Sequence, residues 1–115
     1  MTLIIGLTGG IGSGKSTFIN YVKAKNISVH DSDKVVKNCY KKPPPVFKKY
    51  LIKIGLENAI VNKQINKKTI SKIIFSNRKT KKNLENFLHK VVKKKRNEFI
   101  KYHKKKKSKM IIIDI

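Results

Sequence analysis

The chain has 115 residues, with 29 lysines and arginines against 6 acids and a formal net charge of +23. That length holds one domain with a thin core, and 39% hydrophobic residues with isoleucine recurring in patterns argue against global disorder. A single cysteine, Cys39, excludes an intrachain disulfide and suits a reducing compartment, where a buried free thiol is its expected state.

Residues 3–8 are continuously apolar and end at Gly9 and Gly10, the pattern of a strand covered on both faces in a parallel sheet. Phe18, Ile19 and Val22 then fall at helical spacing and predict a helix from Lys15 to Lys25. Ile27 to His30 reads as a short second strand. Val35, Val36, Cys39 and Tyr40 predict a helix that Pro43, Pro44 and Pro45 stop, because proline lacks an N–H and clashes with the preceding turn. Val46 to Ile54 predicts a short helix closed by Gly55. Ile70, Ile73 and Ile74 mark another, and Leu84, Phe87, Leu88, Val91, Val92, Phe99 and Tyr102 mark a longer one capped by Ser76 or Asn77. Met110 to Ile113 predicts a third buried strand. Neither apolar terminal run is long enough for a membrane span or a signal core, so the expected protein is soluble, cytoplasmic and free of the membrane.

Gly9 to Ser16 matches G-x-x-x-x-G-K-[ST], the phosphate-binding loop signature, in its expected setting between a strand and a helix. Glycines let consecutive N–H groups curl around an anion while the helix start points its positive end at the same place. Lys15 can then reach β- and γ-phosphates, and the Ser16 hydroxyl can ligate Mg²⁺. Asp31 and Asp33 follow the second strand, where a carboxylate could orient or take the proton of an acceptor hydroxyl. Asp31, Ser32 or Asp33 would serve equally well as the cap of the next helix. Asp114, ending the third strand, reads as a solvated terminal acid ahead of a functional one.

Leu7 to Thr17, followed by Val29 to Asp33, resembles the dephospho-CoA kinase family. Ile65 to Lys68, Ile73 to Asn77, Phe87 to His89 and Ile111 to Ile115 add weaker likenesses that carry the resemblance along the whole chain. It implies an α/β fold of the P-loop NTPase, nucleoside-kinase-like kind: a parallel sheet with flanking helices, about three strands of which fall within residues 1–115. Those residues would be the N-terminal part of a single kinase domain, with helices from about 34 to 105 forming the acceptor-binding portion.

The implied reaction is phosphoryl transfer from Mg·ATP to the 3′-hydroxyl of dephospho-CoA, the last step of coenzyme A biosynthesis. By that analogy Gly9 opens the loop, and Gly12, Ser13, Gly14, Lys15, Ser16 and Thr17 wrap the phosphates. Lys15 stabilises the transferring group, Ser16 holds the metal, Asp33 orients or deprotonates the acceptor, and His89 lies by the acceptor site, with a partly exposed place on an amphipathic helix as its equal alternative. The family pattern changes at Lys67, where arginine is usual, at Lys90, where proline is usual, and at Pro44, where glycine is common. The chain also stops where the third strand would lead into a Pro-Leu-Leu segment. It therefore reads as a member truncated at the C-terminus, lacking the arginine-bearing lid and the last two strands, and a complementing C-terminal fragment is an expected partner. One edge of the phosphate-loop strand would then stand open.

Two other functions stay in view: an inactive or ATP-binding-only remnant, and a lysine-rich binder of RNA or another polyanion. Nucleic acid is the less expected partner. The excess charge is lysine rather than arginine, Lys, Ile and Asn together suggest an A/T-rich coding bias, and Phe47, Tyr50, Phe87, Phe99 and Tyr102 sit at helical core spacing rather than in a base-stacking array.

Overall fold

The structure, a computed structural model, describes residues 1–9 and 14–114. It divides into two compact units, one made of residues 1–32 and 93–115 and the other of residues 33–92.

The first unit is built on a parallel sheet in the order β1-β5-β2, from β1 (Leu3–Leu7), β2 (Ser28–His30) and β5 (Met110–Asp114). Leu3 pairs with Met110 and Leu7 with Asp114 on one side of β5, and His30 pairs with Ile113 on the other. Being central, β5 is almost wholly enclosed: Ile111, Ile112 and Ile113 are buried. The sequence pattern puts the strands in the right places but misjudges β1, read as covered on both faces. Among the described residues β1 pairs only with β5, and Leu3 and Ile4 are 52% and 40% exposed. The open edge expected for this strand is present among the described residues, and an apolar run does not by itself show how far its faces are covered.

Between β1 and β2 runs α1 (Lys15–Ala24), which buries Ile19 and Val22. It ends with Asn26 in the left-handed region, the Asn26 N–H donating to Lys23 O at 3.0 Å and that of Ile27 to Val22 O at 3.1 Å. This crossed pair satisfies carbonyls that the helix end would otherwise leave open. The long helix α5 (Arg78–Lys105) closes the same way before β5, with Lys107 left-handed and the Ser108 N–H donating to His103 O at 2.9 Å.

The second unit is helical, from α2 (Ser32–Lys41) through α3 (Pro45–Lys53) and α4 (Lys67–Ser76) to the first half of α5. Pro45 starts α3 at its first turn, where a missing N–H is harmless, and Gly55, at φ +88°, ends it. A hairpin absent from the sequence reading, β3 (Ile60–Val61) and β4 (Gln64–Ile65), turns through Asn62 and Lys63, both with positive φ. Such a two-residue turn needs left-handed backbone twice, and Asn-Lys is a weak signal for it.

Asn66 caps α4, its Oδ1 accepting from the N–H groups of Lys68 and Thr69 at 3.0 and 3.3 Å. Asn77 caps α5 by accepting from Thr80 N–H at 3.1 Å, as one of the two expected residues. Phe47, Leu51, Leu56 and Ala59 are fully buried and form the core with Cys39, Ile70 and Leu84. Phe47 stacks on Phe87 at 5.6 Å, and Tyr50 stacks on the same ring at 4.4 Å while its hydroxyl donates to Asn83 O. Tyr102 departs from the expected core set, being 59% exposed.

Candidate functional site

Because all three strands of the first unit run parallel, their carboxyl ends share one edge of the sheet, the edge where ligands gather in such folds. There Leu7 leads toward the glycine loop, His30 leads to Asp31, and Asp114 closes β5. The loop delivers the chain into α1 through Gly14, whose φ of +81° is one that a side chain disfavours. Phe18 N–H donates to Gly14 O at 3.0 Å, so the glycine also begins the helical bonding.

Lys15, the first residue of α1, turns its ammonium onto the carboxylate of Asp114. The two side chains are 17% and 6% exposed, a depth at which an unpaired charge would be costly and a direct partner is required. Ser32 Oγ donates to the carbonyl oxygen of Asp114 at 3.1 Å. The half-buried Asp31 brings a carboxylate oxygen within 4.8 Å of one from Asp114. One ammonium is therefore paired with a carboxylate that has a second carboxylate close by, beside the positive start of a helix.

The reading of Asp114 as a solvated terminal acid is overturned. It is one of the most buried polar residues described. The missing information was strand order, since only the β1-β5 pairing sets residue 114 beside the start of α1. A second residue had no sequence signal. His30 is 6% exposed, and both of its ring nitrogens are buried without a hydrogen-bond partner among the described residues. Burial, and then the Arg96 guanidinium, push its pKa below the ordinary 6.5, with Asp114 and Asp31 pulling the other way.

The other expected residues are placed as follows. Gly9 is exposed just after β1, and Ser16 and Thr17 are exposed in the first turn of α1. Gly12 and Ser13 lie outside the described residues. Asp33 is exposed in the first turn of α2, and His89 is exposed on α5. Lys67, at the position where arginine was expected, holds its ammonium 4.9 Å from the centre of the Tyr40 ring, an attractive placement for a cation. Among the described residues, no helix is long and apolar enough to cross a membrane.

The family model described as CoaE, dephospho-CoA kinase, matches residues 3–115. A dephospho-CoA kinase from a gamma-proteobacterium, EBAC31A08, is 37% identical over 98 residues, which make up 85% of this chain and 50% of that protein. The Bartonella quintana enzyme of the same name is 34% identical over 112 residues, 97% of this chain and 56% of its own length. Among solved structures, dephospho-CoA kinase from Campylobacter jejuni superposes with a TM-score of 0.78 at 28% identity, covering 100% of this chain and 57% of that one. The chain thus spans about half the length of the curated relatives it matches.

Proposed function

The chain belongs to the dephospho-CoA kinase family, and from that premise we propose that it binds Mg·ATP and serves the transfer of its γ-phosphoryl group to the 3′-hydroxyl of dephospho-CoA. The observation that supports this most directly is the pairing of Lys15 with Asp114, which keeps an ammonium at the start of α1 and at the carboxyl edge of the sheet. In the proposed reaction the acceptor oxygen forms its bond to the γ-phosphorus as the bridge to the β-phosphate breaks. The acceptor proton departs to a base, and ADP leaves. Lys15 offsets the charge on the transferring oxygens, and the start of α1 holds the polyphosphate.

Asp33 is the proposed group that orients the acceptor hydroxyl and accepts its proton. The helices from about 34 to 105, with His89 on them, are the proposed acceptor-binding portion. The Ser16 hydroxyl and the Asp31 carboxylate are hard oxygens, the donor type that suits Mg²⁺. When bound, that ion would neutralise charge on the phosphates, with Ser16 holding it. Gly9, Gly12, Ser13, Gly14 and Thr17 complete the proposed loop. The cytoplasm, where ATP is plentiful and thiols such as Cys39 stay reduced, is the proposed compartment.

The counterpart of the remaining length of those relatives is the proposed partner that completes turnover. Mixing the chain with a polypeptide equivalent to that remainder, in the presence of ATP and dephospho-CoA, is expected to give product that neither piece gives alone.

Calorimetric titration with Mg·ATP tests the nucleotide reading. Binding to the wild type that drops at least tenfold in Lys15→Ala supports it. A polyanion binder would instead show a steep salt slope and near indifference to the loss of one lysine among 29 basic residues.

A further inference from the structure

Asp114 stands in no part of the transfer chemistry above, yet it is the described residue that holds the loop lysine. Its surroundings define what that hold costs. Lys15 approaches its carboxylate from α1, the Asp31 carboxylate lies within 4.8 Å from the end of β2, and the Ser32 hydroxyl ties its carbonyl in place. Two acidic groups this close repel each other, and the Lys15 ammonium relieves that repulsion. A polyphosphate arriving at the start of α1 seeks the same ammonium. Lysine carries its charge on a flexible four-carbon stem with rotatable donors, so it can change anionic partners without any shift of backbone.

We propose that Asp114 is a positioning residue that holds the Lys15 ammonium at the edge of the sheet, and that polyphosphate binds by taking this ammonium from the carboxylate. The proposal rests on the nucleotide reading above and adds to it a threshold. A ligand has to outbid a built-in carboxylate, so weak monoanions are refused while a chain of phosphates is accepted. No covalent bond changes in this exchange, and the proton stays on Lys15.

The test uses the intact chain and two readouts. In competitive acetylation followed by peptide mass spectrometry, Lys15 of the wild type is expected to react slowly. Asp114→Asn is expected to raise its rate at least threefold, and Asp114→Glu to return it toward the wild-type value. In Mg·ATP titrations at low salt, Asp114→Asn is expected to bind about three- to tenfold more tightly than wild type, with that gain reduced to less than twofold when Lys15→Ala is also present. A merely structural role for the buried acid predicts the opposite, weaker binding together with lower stability. Should Asp114→Asn not fold, Asp114→Ser, which is smaller and uncharged, carries the same expectations.

An unchanged acetylation rate overturns the positioning role, and unchanged or weakened Mg·ATP affinity overturns the exchange. Absence of any nucleotide binding in the wild type overturns the function proposed above, and the acetylation readout then decides by itself whether Asp114 holds Lys15.

Discussion

The imidazole of His30 lies against the ring of Phe99, with centroids 5.5 Å apart, and keeps both nitrogens buried and unpartnered among the described residues. Phe99 in turn lies 4.5 Å from the ring of His103, whose Nδ1 is 2.7 Å from Ser108 Oγ. A neutral imidazole tolerates that apolar setting, and a charged one does not.

Acid sensitivity follows, with a definite sign. Burial and then Arg96 lower the His30 pKa, and burial and then Lys106 lower that of His103. The unfolded chain therefore takes up protons near the ordinary value of 6.5 while the folded chain resists them. The stability these rings contribute is complete above about 6.5 and falls as pH drops through the lowered folded values. Urea midpoints should decline from pH 7.5 to 5.0, and His30→Leu should flatten part of that decline. At pH 7.5 the same variant should be more stable by about 1 kcal/mol, since it removes an unpartnered polar group.

Phe47 is the residue whose loss the helical unit should tolerate least. It is fully buried, meets Tyr40 edge-on at 5.4 Å and stacks on Phe87. Phe47→Ala should cost roughly 3–5 kcal/mol, a large share of the 5–15 kcal/mol typical of a domain. Phe47→Leu should cost much less. Near-ultraviolet circular dichroism and urea titration of the two variants read the difference.

Most of the secondary structure was legible because glycine, proline and helical spacing are local signals. The stop at Pro43 to Pro45, the Gly55 closure and the Asn77 cap all act within a turn of themselves. The motif from Gly9 to Ser16 could be picked out for the same reason, being contiguous in the sequence. The Asp114 partnership was not, because it depends on which strand lies beside β1, a choice made by residues more than a hundred positions apart. The exposure of Leu3 and Ile4 was hidden likewise, since an apolar run reads the same whether or not its faces are covered. The β3-β4 hairpin escaped because Asn62 and Lys63 lack the glycine that usually announces such a turn.

Gly14 and Gly55 offer a matched pair. Both have strongly positive φ, +81° and +88°, and a Cβ added at either meets nothing within 4 Å. Alanine at either site should therefore cost about 1–2 kcal/mol through backbone strain rather than a clash. Only Gly14→Ala should also weaken Mg·ATP binding, by tenfold or more, because it sits next to Lys15. Thermal melts alongside nucleotide titration separate the two effects.

Asn66 should behave as a pure cap. Its side chain satisfies two amides at the start of α4, so Asn66→Ala should lose about 1 kcal/mol and Asn66→Asp should lose little. Urea midpoints of the two variants at equal ionic strength provide the check.

The placement of β5 governs the order in which this molecule can be made. Among the described residues, strands β1 and β2 are not paired with each other, since each is bonded to β5. On a ribosome moving at roughly 5–20 residues per second, Leu3 leaves the exit tunnel several seconds before Met110 exists to receive it. During that interval the amides of the nascent first strand wait in water. The first strand is thus released before its own scaffold, and a chaperone or a rapid rate of elongation has its greatest leverage in that gap.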